Sequence, residues 1–136
     1  MLRTPAVTVL LVEDALPVRQ AIRAALDGIP GVRVIGEADN AERAIALVQR
    51  LAPDIVTIDV RLRESFGMDL LRELKRSKPR VRPVTIVLTN HVGEHVRQSC
   101  AELGADYFFD KALEFNLACD VIGRFVAERT SERQHG

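Results

Sequence analysis

The stretch VTVLLVEDALPVRQ, residues 7–20, decides how the rest of the chain is read. Residues 7–12 are apolar or β-branched throughout, as in a strand buried on both faces. Glu13 and Asp14 follow at once, and the apolar spacing then turns helical. Two adjacent carboxylates at the end of a buried strand repel each other and lose water, so the fold must supply something that offsets both costs.

Working outward, the same alternation recurs. Residues 7–12, 32–38, 54–59, 83–89 and 106–109 read as five strands. Between them, Val18, Ile22, Ala25 and Ile29 mark one helical face, Ala41, Ile45, Val48 and Ala52 a second, and Leu70, Leu71 and Leu74 a third. A fourth helix is expected over 93–103, stopped by Gly104, and Leu117, Val121, Ile122, Phe125 and Val126 define a fifth. Asn40 is placed to cap the second helix, and Pro83 opens its strand, where a missing amide donor is tolerated. The order is (βα)5, which implies a doubly wound α/β fold with a five-stranded parallel sheet and helices on both faces.

At 136 residues the chain is expected to form a single domain, with its core over about 7–126 and a polar, fraying tail over 127–136. Nineteen basic residues balance nineteen acidic ones, so bulk charge draws the protein neither to nucleic acid nor to an anionic membrane. The sequence reads as cytoplasmic: it shows no signal-peptide pattern and no apolar run of membrane-spanning length. Cys100 and Cys119 match no metal or CxxC spacing and read as reduced structural thiols.

In an open parallel sheet, residues that close adjacent strands become neighbours beyond the carboxyl ends. Glu13 and Asp14 close the first strand, Asp59 the third and Thr89 the fourth, while Lys111 follows the fifth, so all five are expected on one rim. Three carboxylates with no histidine or thiolate among them suit a hard cation such as Mg²⁺, which keeps several waters. A dication beside a carboxylate, a lysine and a hydroxyl makes a phosphoryl-transfer site. There is no GxxxxGK[ST] or GxGxxG loop to hold a nucleotide, so the phosphoryl donor must come from outside.

From Val7 to Val126 these residues resemble the receiver domains of two-component response regulators, whose fold is flavodoxin-like. The acidic pair, Asp59, Gly67 eight positions later, Thr89 thirty after Asp59 and Lys111 twenty-two after that all fall at the family's positions. The resemblance implies that Asp59 accepts a phosphoryl group from a sensor histidine kinase or phosphotransfer protein. Mg²⁺, for which Mn²⁺ can substitute, would be held by Asp14, Asp59 and the backbone carbonyl of Arg61, with Glu13 assisting through water. Thr89 and Lys111 would then grip the phosphoryl oxygens. Inward movement of Thr89 would let Phe108 rotate and remodel the surface of the fourth helix, fifth strand and fifth helix. That surface would serve a downstream partner or an output domain outside this chain, or a homodimer. No enzymatic activity is implied beyond Mg²⁺-dependent self-phosphotransfer and autodephosphorylation, and no contact with nucleic acid or membrane.

Three positions depart from the family. Asn90 replaces the usual small residue after Thr89 and is expected to slow phosphoryl exchange. Arg63 stands where proline is common, and Ala112 replaces the proline after Lys111. These leave open a receiver-like interaction module that does not cycle phosphate. A Mg²⁺-dependent phosphohydrolase would want a second acid close after its nucleophile, but Val60 and Arg61 follow Asp59. Residues 91–95, HVGEH, spell HxxEH, yet Gly93 interrupts them and no third zinc ligand stands out. The basic run RELKRSKPRVRP, 72–83, reads as solvated cations at a helix end rather than a nucleic-acid reader.

Overall fold

The computed structural model describes residues 6–77 and 82–135. Five strands, β1 (Val7–Val12), β2 (Val32–Ala38), β3 (Ile55–Ile58), β4 (Val84–Thr89) and β5 (Tyr107–Asp110), pair in parallel in the order 2-1-3-4-5. They alternate with α1 (Leu16–Asp27), α2 (Ala41–Leu51), α3 (Gly67–Ser77), α4 (Glu94–Glu102) and α5 (Phe115–His135). This is the doubly wound (βα)5 architecture that the alternating pattern implies, in the flavodoxin-like form that the resemblance to receiver domains implies. A small hairpin, Arg61–Leu62 against Ser65–Phe66, projects from the loop after β3.

Side-chain alternation along each strand assigns the two faces. Val7, Val9 and Leu11 of β1 pack with Ile86 and Leu88 of β4 against Ile22 and Leu26 of α1 and Val121 and Ile122 of α5. Leu10 and Val12 pack with Val56, Ile58 and Val87 against Ala44 and Val48 of α2 and Leu70, Leu71 and Leu74 of α3. Cys100 of α4 is buried in this second layer, where its thiol, raised by burial, stays protonated. Each fully buried Leu or Ile contributes about 1.5–3 kcal/mol, so the central strands β1, β3 and β4 hold the sheet together.

Local chemistry sets the element ends. The Asn40 side chain accepts from the Arg43 amide at 2.8 Å, capping α2 as expected. Gly104, at φ +92°, ends α4 in a conformation that disfavours a side chain. In the basic run, Lys75 of α3 and Arg82 of the segment before β4 donate to the carbonyls of Glu102 and Gly104, so both cations serve the end of α4. Lys78 and Arg80 of that run lie outside the described residues.

Two features depart from the sequence reading. The fifth helix does not stop near Val126 but continues to His135, and Arg129 on its extension pairs with Asp54 at 2.9 Å. Leu117 is half exposed, because the buried face of α5 runs through Ala118, Val121 and Ile122 instead. Tyr107, Phe108 and Phe109 are each only half-buried, because β5 is an edge strand with one neighbour.

Candidate functional site

The carboxyl ends of β1, β3 and β4 bring Glu13, Asp59 and Thr89 together, and the residue after β5 adds Lys111. Backbone bonds fix the approach of each. The Asp59 amide donates to the Val12 carbonyl at 3.0 Å, and the Lys111 amide to the Thr89 carbonyl at 2.8 Å. Asp59 has both oxygens occupied: the Thr89 hydroxyl donates to Oδ1 at 2.7 Å and the Lys111 ammonium to Oδ2 at 2.7 Å. Lys111 also donates to Glu13 Oε1. Ala112 after the lysine does not prevent this reach. Thr89 is fully buried, and Glu13 and Asp59 nearly so.

One ammonium therefore serves two buried carboxylates, and charge balance at the site is incomplete. Burial pushes the Glu13 carboxyl above its ordinary range, outweighing the hydrogen bonds from Lys111 and the Ala15 amide; the Asp59 charge pushes the same way. Burial disfavours the charge on Lys111, but its bonds to Asp59 and Glu13 outweigh this and raise its pKa. Asp14 sits beside this trio yet is exposed, and its side chain makes no hydrogen bond or ion pair among the described residues. The Arg61 amide lies 3.4 Å from Asp59 Oδ1, which places its peptide at the same rim.

The donor set suits a hard dication. Carboxylate oxygens of Asp14 and Asp59, the peptide at Arg61 and, farther in, Glu13 offer oxygen alone. Among the described residues no three acidic, imidazole or thiol side chains converge as a cage, so Glu13, Asp14 and Asp59 do not form one three-carboxylate ligand set. Gly67 closes the floor: a Cβ there would lie 2.2 Å from the Asp59 carbonyl oxygen and 2.8 Å from Ile58 Cγ2.

The remaining expected residues are more scattered. Phe108 stands half-buried on β5, apart from the acids, with the Arg97 guanidinium 4.5 Å from its ring centroid. Such a cation–π contact contributes about 0.5–1 kcal/mol at a partly exposed site. Asn90, Arg61 and Arg63 are exposed. In HVGEH, His91 precedes α4 and only His95 lies on it, so the two histidines do not share one helical face. The His91 amide instead donates to the Thr89 hydroxyl at 3.2 Å.

The sequence reading missed two arginines. Arg19 of α1 donates to the Glu13 carbonyl and to Glu37 of β2, and Arg97 covers Phe108. The first leaves a trace in sequence, a cation one helical turn after the acidic pair. The second leaves none, because it depends on where α4 docks.

With this geometry in hand, comparison with known proteins is informative. The protein-glutamate methylesterase/protein-glutamine glutaminase 1 of Caulobacter vibrioides is 34% identical over 123 residues, 90% of this chain and 35% of that protein. Its Treponema denticola counterpart is 32% identical over 105 residues, 77% of this chain and 28% of that protein. This chain thus spans 28–35% of the length of these relatives. Among solved structures, the response regulator domain of Thermotoga maritima CheB superposes with a TM-score of 0.76 at 20% identity, covering 93% of this chain and 97% of that one. The signal receiver domain of a Luxo repressor protein from Vibrio parahaemolyticus gives 0.80 at 18% identity, covering 95% and 96%. Both structural likenesses speak for the fold. The response regulator receiver domain model matches residues 9–122, and the chain belongs to that family.

Proposed function

We propose that this receiver takes a phosphoryl group onto Asp59 from a phosphohistidine on a sensor histidine kinase or phosphotransfer protein, and relays the change to a partner. One observation carries the reading: each oxygen of the nearly buried Asp59 is held by a donor that can pass to a phosphoryl oxygen, Thr89 on one side and Lys111 on the other. An Asp59 oxygen attacks phosphorus in line, the P–N bond breaks, and the histidine imidazole leaves with the electron pair and takes up a proton. Lys111 and Thr89 then move from the carboxylate to the phosphoryl oxygens. A bound Mg²⁺, held by Asp14, Asp59 and the Arg61 carbonyl, would supply neutralisation of phosphoryl charge, and Mn²⁺ could replace it.

As the Thr89 hydroxyl turns to the phosphoryl group, space opens toward β5, and Phe108 rotates against α4. The α4–β5–α5 surface is thereby biased between two states, by no more than the difference in phosphoryl contacts between them. Its client is a separate protein, an output segment of a longer polypeptide or a second receiver. The relatives' greater length favours the second. The setting is cytoplasmic, and the chemistry is limited to self-phosphotransfer and autodephosphorylation. Among the described residues no helix is long and apolar enough to cross a membrane.

The test is incubation with Mg²⁺ and a small phosphodonor, followed by intact mass. A single phosphoryl adduct is expected, lost in Asp59→Asn and on chelation. Absence of an adduct in the wild type would leave the protein as an interaction module that does not cycle phosphate. Asn90→Ala is expected to speed both uptake and loss of the adduct, and unchanged rates would remove Asn90 as a gate.

A further inference from the structure

Asp14 lacks any side-chain partner among the described residues, so the backbone alone sets the point and Cα–Cβ direction from which its carboxylate extends. That backbone is held from behind. Arg19, which closes the first turn of α1 and whose side chain is 17% exposed, donates from Nη1 to the Glu13 carbonyl at 2.8 Å and from Nε to Glu37 Oε1 at 2.9 Å. The Glu13 carbonyl belongs to the peptide whose nitrogen is that of Asp14, so fixing this oxygen fixes the plane from which Asp14 departs. Glu37, in β2, has its second oxygen held by Arg23 one helical turn further along α1.

Packing alone does not hold Arg19. A cavity of about 440 Å³, lined by Arg19, Arg23, Glu37, Asp39 and Arg43, opens beside it between α1 and α2. The planar guanidinium is instead located by two hydrogen bonds in different directions, which a point-charge ammonium cannot reproduce. The other groups of Glu13 are tied as well. Its amide donates to the Ala38 carbonyl at 3.0 Å, and its carboxylate accepts from Lys111 and the Ala15 amide. Every polar group of Glu13 is thus tied, and the Asp14 carboxylate extends from a peptide held at its carbonyl.

We infer that Arg19, oriented by Glu37, is a positioning residue for the cation site: it aims Asp14 by clamping the Glu13–Asp14 peptide, without touching the ion or the phosphoryl group. This rests on the reading of Asp14 as a dication ligand. Groups that orient ligands from behind typically cost 10–100-fold in metal affinity when removed. The effect here is placed at the lower end, because Arg19 acts through backbone.

The experiment is calorimetric Mg²⁺ titration of the full chain, with no phosphodonor, for wild type, Arg19→Lys, Arg19→Gln, Glu37→Gln and the Arg19→Gln/Glu37→Gln double variant. Arg19→Gln is expected to weaken Mg²⁺ binding about tenfold and Arg19→Lys about threefold. Glu37→Gln is expected to weaken it less, and the double variant no more than Arg19→Gln alone, because both act through one carbonyl. The rate of adduct formation should recover to near the wild-type value at saturating Mg²⁺, a split that general loosening of the fold would not give. In chelator, the amide resonances of Asp14 and Ala15 should shift in Arg19→Gln while those of Val9 to Leu11 stay in place. Unchanged Mg²⁺ affinity in a folded Arg19→Gln protein overturns the inference, and so do additive effects in the double variant. Wild-type protein with no saturable Mg²⁺ binding dependent on Asp14 defeats the parent reading, and this inference with it.

Discussion

At the amino-terminal end of the sheet, Asp54 and Asp106 each precede a strand and latch onto a threonine of the neighbouring one; at the carboxyl end, Glu13 and Asp59 share one lysine and Asp14 has no side-chain partner among the described residues. The first arrangement is a latch used twice. Asp54 Oδ2 accepts from the Thr8 amide at 2.8 Å and the Thr8 hydroxyl at 3.0 Å, and the Asp54 amide returns a bond to that hydroxyl. Asp106 repeats the pattern with Thr85, at 2.9 and 3.2 Å. Arg129 adds a bridge from the α5 extension to Asp54 and to the Ala6 carbonyl. One end uses carboxylates to join strands, and the other leaves them short of partners, as the proposed ion and phosphoryl group would require.

The largest effect expected tests whether the rim is rigid beneath its movable charges. Gly67→Ala would drive a Cβ into the Asp59 carbonyl, and backbone cannot move aside as a flexible side chain can. A loss of about 3 kcal/mol is expected in urea unfolding, the upper range for overpacking. Gly123 of α5 has nothing within 4 Å of such a Cβ, and Gly123→Ala should gain about 0.5–1 kcal/mol. Equal responses would mean that the floor of the acid site is not a constraint on the fold.

Next in size are the latches. Asp54→Ala leaves the Thr8 amide and Arg129 without their acceptor and is expected to cost about 2–3 kcal/mol. Asp106→Ala, which lacks an arginine partner, should cost about 1–2 kcal/mol. Asp14→Ala, measured in chelator, should stay within about 0.5 kcal/mol of wild type, because its side chain makes no bond among the described residues. A cost at Asp14 comparable to that at Asp54 would erase the distinction between the two ends.

These contrasts also mark what could be read before the structure. Strand-end positions follow from alternation and topology, so Glu13, Asp59, Thr89 and Lys111 could be placed on one rim from sequence alone, whereas the order 2-1-3-4-5 is not fixed by the (βα)5 pattern. Contacts between long side chains on different helices and strands have no period. The Arg19–Glu37 pair, Arg97 over Phe108 and Arg129 on Asp54 depend on how helices dock, and spacing does not reveal that. The polar last turns of the fifth helix predict fraying from sequence, yet the helix runs to His135. A helix also runs on when a single cation finds a partner below the sheet, as Arg129 does.

The finest test is the sign of the pH dependence at each end. Burial alone would raise the Asp54 pKa, but hydrogen bonds from Arg129 and from the Thr8 amide and hydroxyl outweigh it, and the net value is lowered. Its stabilising contribution is therefore present above the unfolded-state pKa, about 3.9, and is lost as pH falls through the folded value. Asp54→Asn should accordingly flatten the acid limb of the stability profile below about pH 4. Glu13 has the opposite sign. Its folded pKa is raised, first by burial, so its contribution is full below the unfolded-state value, about 4.3, and is lost as pH rises through the folded value. In chelator at neutral pH, Glu13→Gln, which imitates the protonated form, should therefore unfold at a slightly higher temperature than wild type. Mg²⁺ should narrow or reverse that gap, because the dication stabilises the charged form that glutamine cannot adopt. A lower melting temperature for Glu13→Gln in chelator would mean that Lys111 fully satisfies both carboxylates, and the rim would then be a closed salt bridge like the latch at the other end.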